Sequence, residues 1–152
     1  MLDNPKHMVA VNVLVFNPRG EILLNNNPKR GWENPGSKVM EGETLIECID
    51  RFLLDQAGIS VEVGALTGVY SNTQAPARLF LSFLATWKSG ELIATPETGD
   101  TRWFPQDQVL PIIGHPAIVD RIADMLKFVH SPQVIYRTYT TDPYVPLAIR
   151  MI

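Results

Sequence analysis

Apolar and polar positions along this chain fall into segments with two different periods. His7 to Phe16 is rich in valine and runs into the turn residues Asn17-Pro18-Arg19-Gly20, which reads as a strand entering a turn. Glu21 to Leu24 reads as the returning strand of a hairpin, closed by Asn25-Asn26-Asn27-Pro28. Lys29 to Glu43 holds three glycines and one proline, so it predicts no regular element over most of its length. The period then changes. Leu45, Ile46, Ile49 and Leu53 form an apolar stripe at helical spacing, with Thr44 placed as N-cap and Glu47 as its capping-box partner. That helix is expected to run to Ala57 and stop at Gly58.

Ile59 to Tyr70 and Leu79 to Trp87 read as strands separated by the polar loop SNTQAPAR, with a turn expected at Lys88-Ser89-Gly90. A short strand follows at Thr101 to Phe104. His115-Pro116 opens a helix through Phe128 that places Ile118, Ile122, Met125 and Leu126 on one face, and Val134 to Thr141 reads as a last strand. Strands with interspersed helices imply helices layered on a sheet.

With 152 residues the chain is expected to form a single domain spanning 1–152. A hydrophobic fraction of 45% with 19% charged residues suits a packed core. Thirteen Lys and Arg against sixteen Asp and Glu give a net charge of −3, so no broad basic field is expected for a nucleic-acid polymer. Cys48 is the one cysteine, which excludes an internal disulfide and any metal site built on paired cysteines. The longest apolar run, Met8 to Phe16, is broken by Asn12 and falls far short of the roughly 20 residues of a spanning helix. The opening MLDNPKH has a proline and an acid before its first lysine, unlike a charged leader, so a cytoplasmic protein without a membrane partner is the expectation.

Gly36 to Ile59 carries more than a generic pattern: a glycine-bearing loop with a glutamate feeds a helix that ends at a glycine followed by an isoleucine. This resembles the Nudix hydrolase family (MutT-like), whose box reads G-x5-E-x7-R-E-U-x-E-E-x-G-U, with U aliphatic. Aligned on the glutamate, Glu43 takes the first acidic position, Arg51 the arginine, Leu53 an aliphatic position, Gly58 the glycine and Ile59 the last position. Trp32-x-x-Pro35-Gly36 before the box and Arg102-Trp103-Phe104 after it also look like the family, and the resemblance covers His7 to Pro105. It implies an α+β Nudix fold, an α/β/α sandwich around a mixed β-sheet with the box helix packed on it. The box lies at 36–59, a C-terminal helix and strand at 115–141, and a short apolar tail at 142–152.

The resemblance also implies an activity: divalent-metal-dependent hydrolysis of a diphosphate in a nucleotide or nucleotide-sugar, with Mg²⁺ or Mn²⁺. Here the box departs from its pattern. Its first glycine falls on Ser37, and the three helix glutamates fall on Phe52, Asp55 and Gln56. Spacings of i, i+3 and i+4 put those three side chains on one helical face. Phe52 offers a metal nothing, Gln56 a neutral carbonyl and Asp55 one carboxylate, so three negative charges become one. The resemblance assigns Glu43, Arg51 and Asp55 to catalysis, and Asp55, Gln56 and the downstream Asp100 to metal. Glu47 and Glu97 are further acids that could compensate. Weak or absent hydrolysis is the first expectation. A non-catalytic nucleotide-binding or regulatory module, or a protein-interaction module, is the alternative.

Each assignment has a plainer reading beside it. Phe52 reads as a core aromatic, Asp55 as a solvated acid paired with Arg51, and Arg51 as a clamp on the preceding loop or a phosphate contact. Lys38, Arg78 and Arg102 read as phosphate contacts or as solvated surface charges; Trp32 stacks on a base or is buried beside Pro35-Gly36. The apolar end VPLAIRMI suggests a subunit contact, so a homodimer is a further expectation, with a nucleotide-type small molecule as ligand.

Overall fold

The computed structural model describes residues 3–152. In chain order it forms β1 (Met8–Phe16), β2 (Ile22–Asn27), β3 (Gly31–Glu33), β4 (Gly36–Lys38), α1 (Leu45–Ala57), β5 (Ile59–Asn72) and β6 (Arg78–Gly90). There follow β7 (Asp100–Phe104), a 3-10 turn at Gln106–Gln108, α2 (Val109–Ile112), α3 (Pro116–His130), β8 (Ile135–Thr140) and β9 (Val145–Met151).

The strands join one mixed sheet in the order β3-β2-β1-β6-β5-β8-β9, with β4 pairing β1 and β7 pairing β2. β1 runs parallel to β6 and β5 parallel to β8, while the remaining pairs are antiparallel. The apolar run of β1, interrupted only by Asn12, follows from burial on both faces. Val11, Val13 and Val15 point to one side and pack with α1 residues Ile49, Phe52 and Leu53. Leu14 points to the other and packs with Ile118, Ile122 and Met125 of α3. In β2, Leu23 joins the first cluster while Ile22 and Leu24 join the second. This alternation places a helix on each face of the sheet, the α+β Nudix arrangement expected from the sequence.

The capping signals hold at both ends of α1. Thr44 Oγ1 accepts from the Glu47 backbone N–H at 3.1 Å, and Glu47 Oε1 accepts from the Thr44 N–H at 3.1 Å. Gly58 closes the helix in the left-handed region at φ 77°. His115 caps α3, its Nδ1 accepting from the Ala117 N–H at 3.2 Å.

Four segments differ from expectation. The loop predicted over Lys29 to Glu43 contains β3 and β4, each three residues long and formed by long-range pairing that local pattern does not carry. β4 can lie against β1 because Gly36 has no side chain: a Cβ there would sit 2.9 Å from the Val11 carbonyl oxygen. Asn25 to Asn27, expected to close the hairpin, instead extend β2 and pair with β3. The turn expected at Lys88-Ser89-Gly90 is the end of β6, still paired with β5. Finally, the apolar segment 142–152, for which no element is predicted, holds the edge strand β9. Val145, Leu147, Ile149 and Met151 are all exposed on it.

Candidate functional site

The loop before α1 is fastened to the helix by a fork. Arg51 donates from Nε to Glu43 Oε2 and from Nη2 to Glu43 Oε1, both at 2.8 Å. Nη2 also reaches the Lys38 carbonyl at 3.3 Å. The Met40 N–H donates to Glu43 Oε1 at 3.0 Å, so the carboxylate is engaged from two sides. Arg51 and then the Met40 N–H hold the Glu43 carboxyl far down, at about 2. The same fork raises the guanidinium of Arg51. Of the two readings of Arg51, the geometry matches the loop clamp; its pairing with Asp55 is not formed among the described residues. Cys48 lies beneath this fork, its thiol pushed up to about 11 by burial first and by Glu43 second, which suits a packed thiol and not a nucleophile.

The three box positions that follow on α1 differ in burial. Phe52 is fully buried among Val11, Val13, Leu23 and Leu53. Asp55 is exposed and Gln56 half-buried, while the Gln56 backbone carbonyl accepts from Thr98 Oγ1 at 3.4 Å. Asp100 stands on β7 and is paired with Arg102 at 2.7 Å. Glu47 is used in the capping box. Among the described residues there is no group of three or more His, Cys, Asp or Glu that could hold a metal ion. Mg²⁺ takes several hard oxygen ligands in near-octahedral array. Here Glu43 and Asp100 are committed to arginines and Phe52 supplies no oxygen, which leaves Asp55 on the helix and Glu97 in the loop before β7 as the expected acids outside any ion pair among the described residues. The residues present do not fit a resident divalent ion.

A cavity of about 370 Å³ opens beside the start of the box. Its walls come from β1, β3, β4, β5, β6, α3 and β8, and it reaches Gly36, Ser37 and Lys38 but none of Glu43, Arg51, Asp55 or Gln56. Lys38 and Arg78, expected as phosphate contacts, both line it. Trp32 does not. It packs edge-on to Phe104, ring centroids 5.0 Å apart, with the Arg102 guanidinium 5.7 Å over its ring.

The cavity floor is polar. Ser82 Oγ donates to Asn12 Oδ1 at 2.8 Å, and Asn34 Nδ2 donates to Asn12 Oδ1 and to the Val13 carbonyl, both at 3.1 Å. Asn12 Nδ2 and Asn34 Oδ1 are buried without a partner, one donor and one acceptor. Arg121 from α3 lines the cavity as well, its guanidinium 5.7 Å over the Phe80 ring. Sequence reasoning missed Asn34, Arg121 and Tyr139. Asn12 carried a signal, as the polar break in the apolar run of β1, and Arg121 carried a weaker one, as the cation beside Ile118 and Ile122 on α3.

The family model of the NUDIX domain matches residues 6–125, and the chain belongs to that family. It is 28% identical over 130 residues to the 8-oxo-dGDP phosphatase NUDT18 of Danio rerio, across 80% of this chain and 39% of that protein. It thus spans well under half the length of the zebrafish relative. It is 32% identical over 106 residues to a MutT-like protein of Streptomyces ambofaciens, across 69% of this chain and 68% of that one. The crystal structure of the MutT protein from Bacillus halodurans superposes with a TM-score of 0.75 at 24% identity, across 95% of this chain and 97% of the other, a likeness of fold. Among the described residues no helix is long and apolar enough to cross a membrane.

Proposed function

We propose that this NUDIX-domain chain binds nucleoside-diphosphate-linked compounds in the cavity beside the box and hydrolyses them weakly or not at all. The carrying observation is a contrast within a few residues of chain. The cavity keeps its polar floor and cationic wall, whereas the box helix has Phe52 sunk in the core and Glu43 held by Arg51. Diphosphate hydrolysis in water relies on concentrated positive charge held by carboxylates to activate water and neutralise phosphate oxygens. One exposed carboxylate, Asp55, is a poor substitute for three. The name of one similar protein, the 8-oxo-dGDP phosphatase of Danio rerio, supports a nucleotide as the class of ligand.

The test pairs calorimetric binding with turnover, using nucleoside di- and triphosphates, nucleotide sugars and ADP-ribose with added Mg²⁺ or Mn²⁺. Saturable binding without turnover is expected. Gln56→Glu, at a half-buried position, and the Phe52→Glu/Gln56→Glu double variant restore box carboxylates; thermal melting checks that each still folds. Ordinary turnover by the wild type would show that charge lost from the box is supplied elsewhere and would overturn the reading.

A further inference from the structure

Four cations line the cavity (Arg30, Lys38, Arg78 and Arg121) against a single carboxylate, Glu33. Glu33 is not shared among them. Arg30 holds it in a fork, Nε to Oε2 and Nη2 to Oε1, both 2.8 Å. Lys38, Arg78 and Arg121 form no ion pair among the described residues, although they come from three elements: β4, β6 and α3. This local surplus stands in a chain whose net charge is −3.

Arg121 is the member that a solvated-surface reading does not cover. Its Nε is buried and has no hydrogen-bond partner, although the guanidinium carries donors on every nitrogen. Packing over Phe80 satisfies the face of the guanidinium and leaves the in-plane donors unused. Arg121 is only partly buried, but an enclosed, unpartnered Nε with no anion paired to it is unfavourable, and burial pushes the pKa of the group down. The charges of Arg121 and Arg78 both bear on Tyr139, which also lines the cavity. Beside them, the unpartnered Asn12 Nδ2 offers one more donor from the floor.

We propose that this cavity takes a phosphomonoester, a second anionic group carried by the diphosphate-linked ligand, with Arg121 and Arg78 as the residues that select it. A phosphate dianion has the charge to answer several cations and the oxygens to accept in-plane guanidinium donors, where one carboxylate has neither in full. The inference rests on the proposed binding function and adds the class of ligand: compounds phosphorylated at a position remote from their diphosphate.

The experiment uses the full chain and two pairs of probes that differ by one phosphomonoester, NADP⁺ against NAD⁺ and coenzyme A against its dephospho form. A third pair, UDP-glucuronate against UDP-glucose, differs by a carboxylate. Calorimetry is expected to give the phosphorylated member of each of the first two pairs an affinity greater by on the order of tenfold or more. Arg121→Met, which keeps an apolar stem over Phe80, should bring that ratio close to one, and Arg121→Lys should restore part of it. Arg78→Gln, at an exposed strand end, tests the same ratio without touching the core. Equal binding of both members overturns the phosphomonoester site and leaves the binding function standing. A gain for the glucuronate alone reassigns the cavity to a carboxylate and overturns the proposal. Binding of no probe refutes both readings together.

Discussion

Arg51 grips Glu43 with two parallel N–H···O bonds, each 2.8 Å, across eight residues of chain. The fork ties the loop after β4 to the middle of α1, and through the Lys38 carbonyl it also fixes the end of the strand that lines the cavity. One ion pair therefore shapes the loop between β4 and α1, and its carboxylate is already spent on an arginine.

The pH dependence of stability should expose that pair. Glu43 is held at about 2 against an ordinary value of 4.5, so its ionised form is favoured in the folded state. A depressed carboxyl contributes stability that is complete above the unfolded value and is lost as pH falls towards the folded one. Wild type and Glu43→Gln should differ by a constant margin in melting temperature above about pH 5. The margin should shrink as pH drops through 4.5 towards about 2. A margin that persists at the acid end would remove Glu43 as its source.

Phe52 offers a separate test, because a core aromatic and a displaced ligand predict different mutational costs. With no exposed surface and packing among Val11, Val13 and Leu23, Phe52→Ala should destabilise by about 3–5 kcal/mol in denaturant unfolding. Phe52→Leu, closer in volume, should cost less than about 2 kcal/mol. Phe52→Glu should be the worst of the three, since it buries a carboxylate among valines and leucines. An alanine variant within about 0.5 kcal/mol of wild type would mean that Phe52 is not part of the core.

The sequence was most legible where a local rule had one physical solution. Thr44, Glu47 and Gly58 announced both ends of α1, because a helix leaves unpaired backbone groups that only a few residue types satisfy. The layer structure was legible in the succession of strands with interspersed helices, whereas the burial of β1 on both faces became visible only in the structure. β3 and β4 were not legible. Each is held by pairing to a strand distant in sequence, and Gly36 looks like a turn residue until its approach to the Val11 carbonyl is seen. Of Lys38, Arg78 and Arg102, read from the sequence as candidate phosphate contacts or solvated charges, the first two line the cavity and Arg102 lies over Trp32 instead. Arg121 could not be read in this way, because its importance lies in a missing partner, and a missing partner is a three-dimensional fact.

Gly36 should prove sensitive for the reason just given. A Cβ at Gly36 would meet the Val11 carbonyl oxygen at 2.9 Å, so Gly36→Ala must push β4 away from β1. A cost of about 1–3 kcal/mol is expected, together with weaker ligand binding, since β4 carries Lys38 into the cavity. Gly114→Ala is the control. No atom lies within 4 Å of its Cβ, and loss of unfolded-chain entropy should leave stability unchanged or slightly raised. Equal effects of the two substitutions in thermal melting would argue against the close approach.

Asp124 joins three elements that frame the cavity. From α3 its carboxylate accepts Arg137 Nε at 2.7 Å and Nη2 at 2.8 Å from β8, and the Tyr70 hydroxyl of β5 at 2.9 Å. Both charged side chains are largely enclosed, Asp124 with 9% and Arg137 with 17% of its surface exposed. Removing one member of an enclosed pair leaves the other charged and unanswered, which costs about 3–5 kcal/mol, whereas replacing both by apolar residues of similar size is close to neutral. Asp124→Leu should therefore destabilise strongly, and Asp124→Leu/Arg137→Met should recover much of the loss in denaturant unfolding. The Tyr70 hydroxyl still loses its acceptor in the double variant, so recovery should be incomplete and should improve when Tyr70→Phe is added. Because α3 carries Arg121 and β8 carries Tyr139, ligand affinity measured on the same variants should follow the geometry of this junction, falling in the single variant and returning with the pair. Additive losses in the double variant would show that Asp124 and Arg137 act independently.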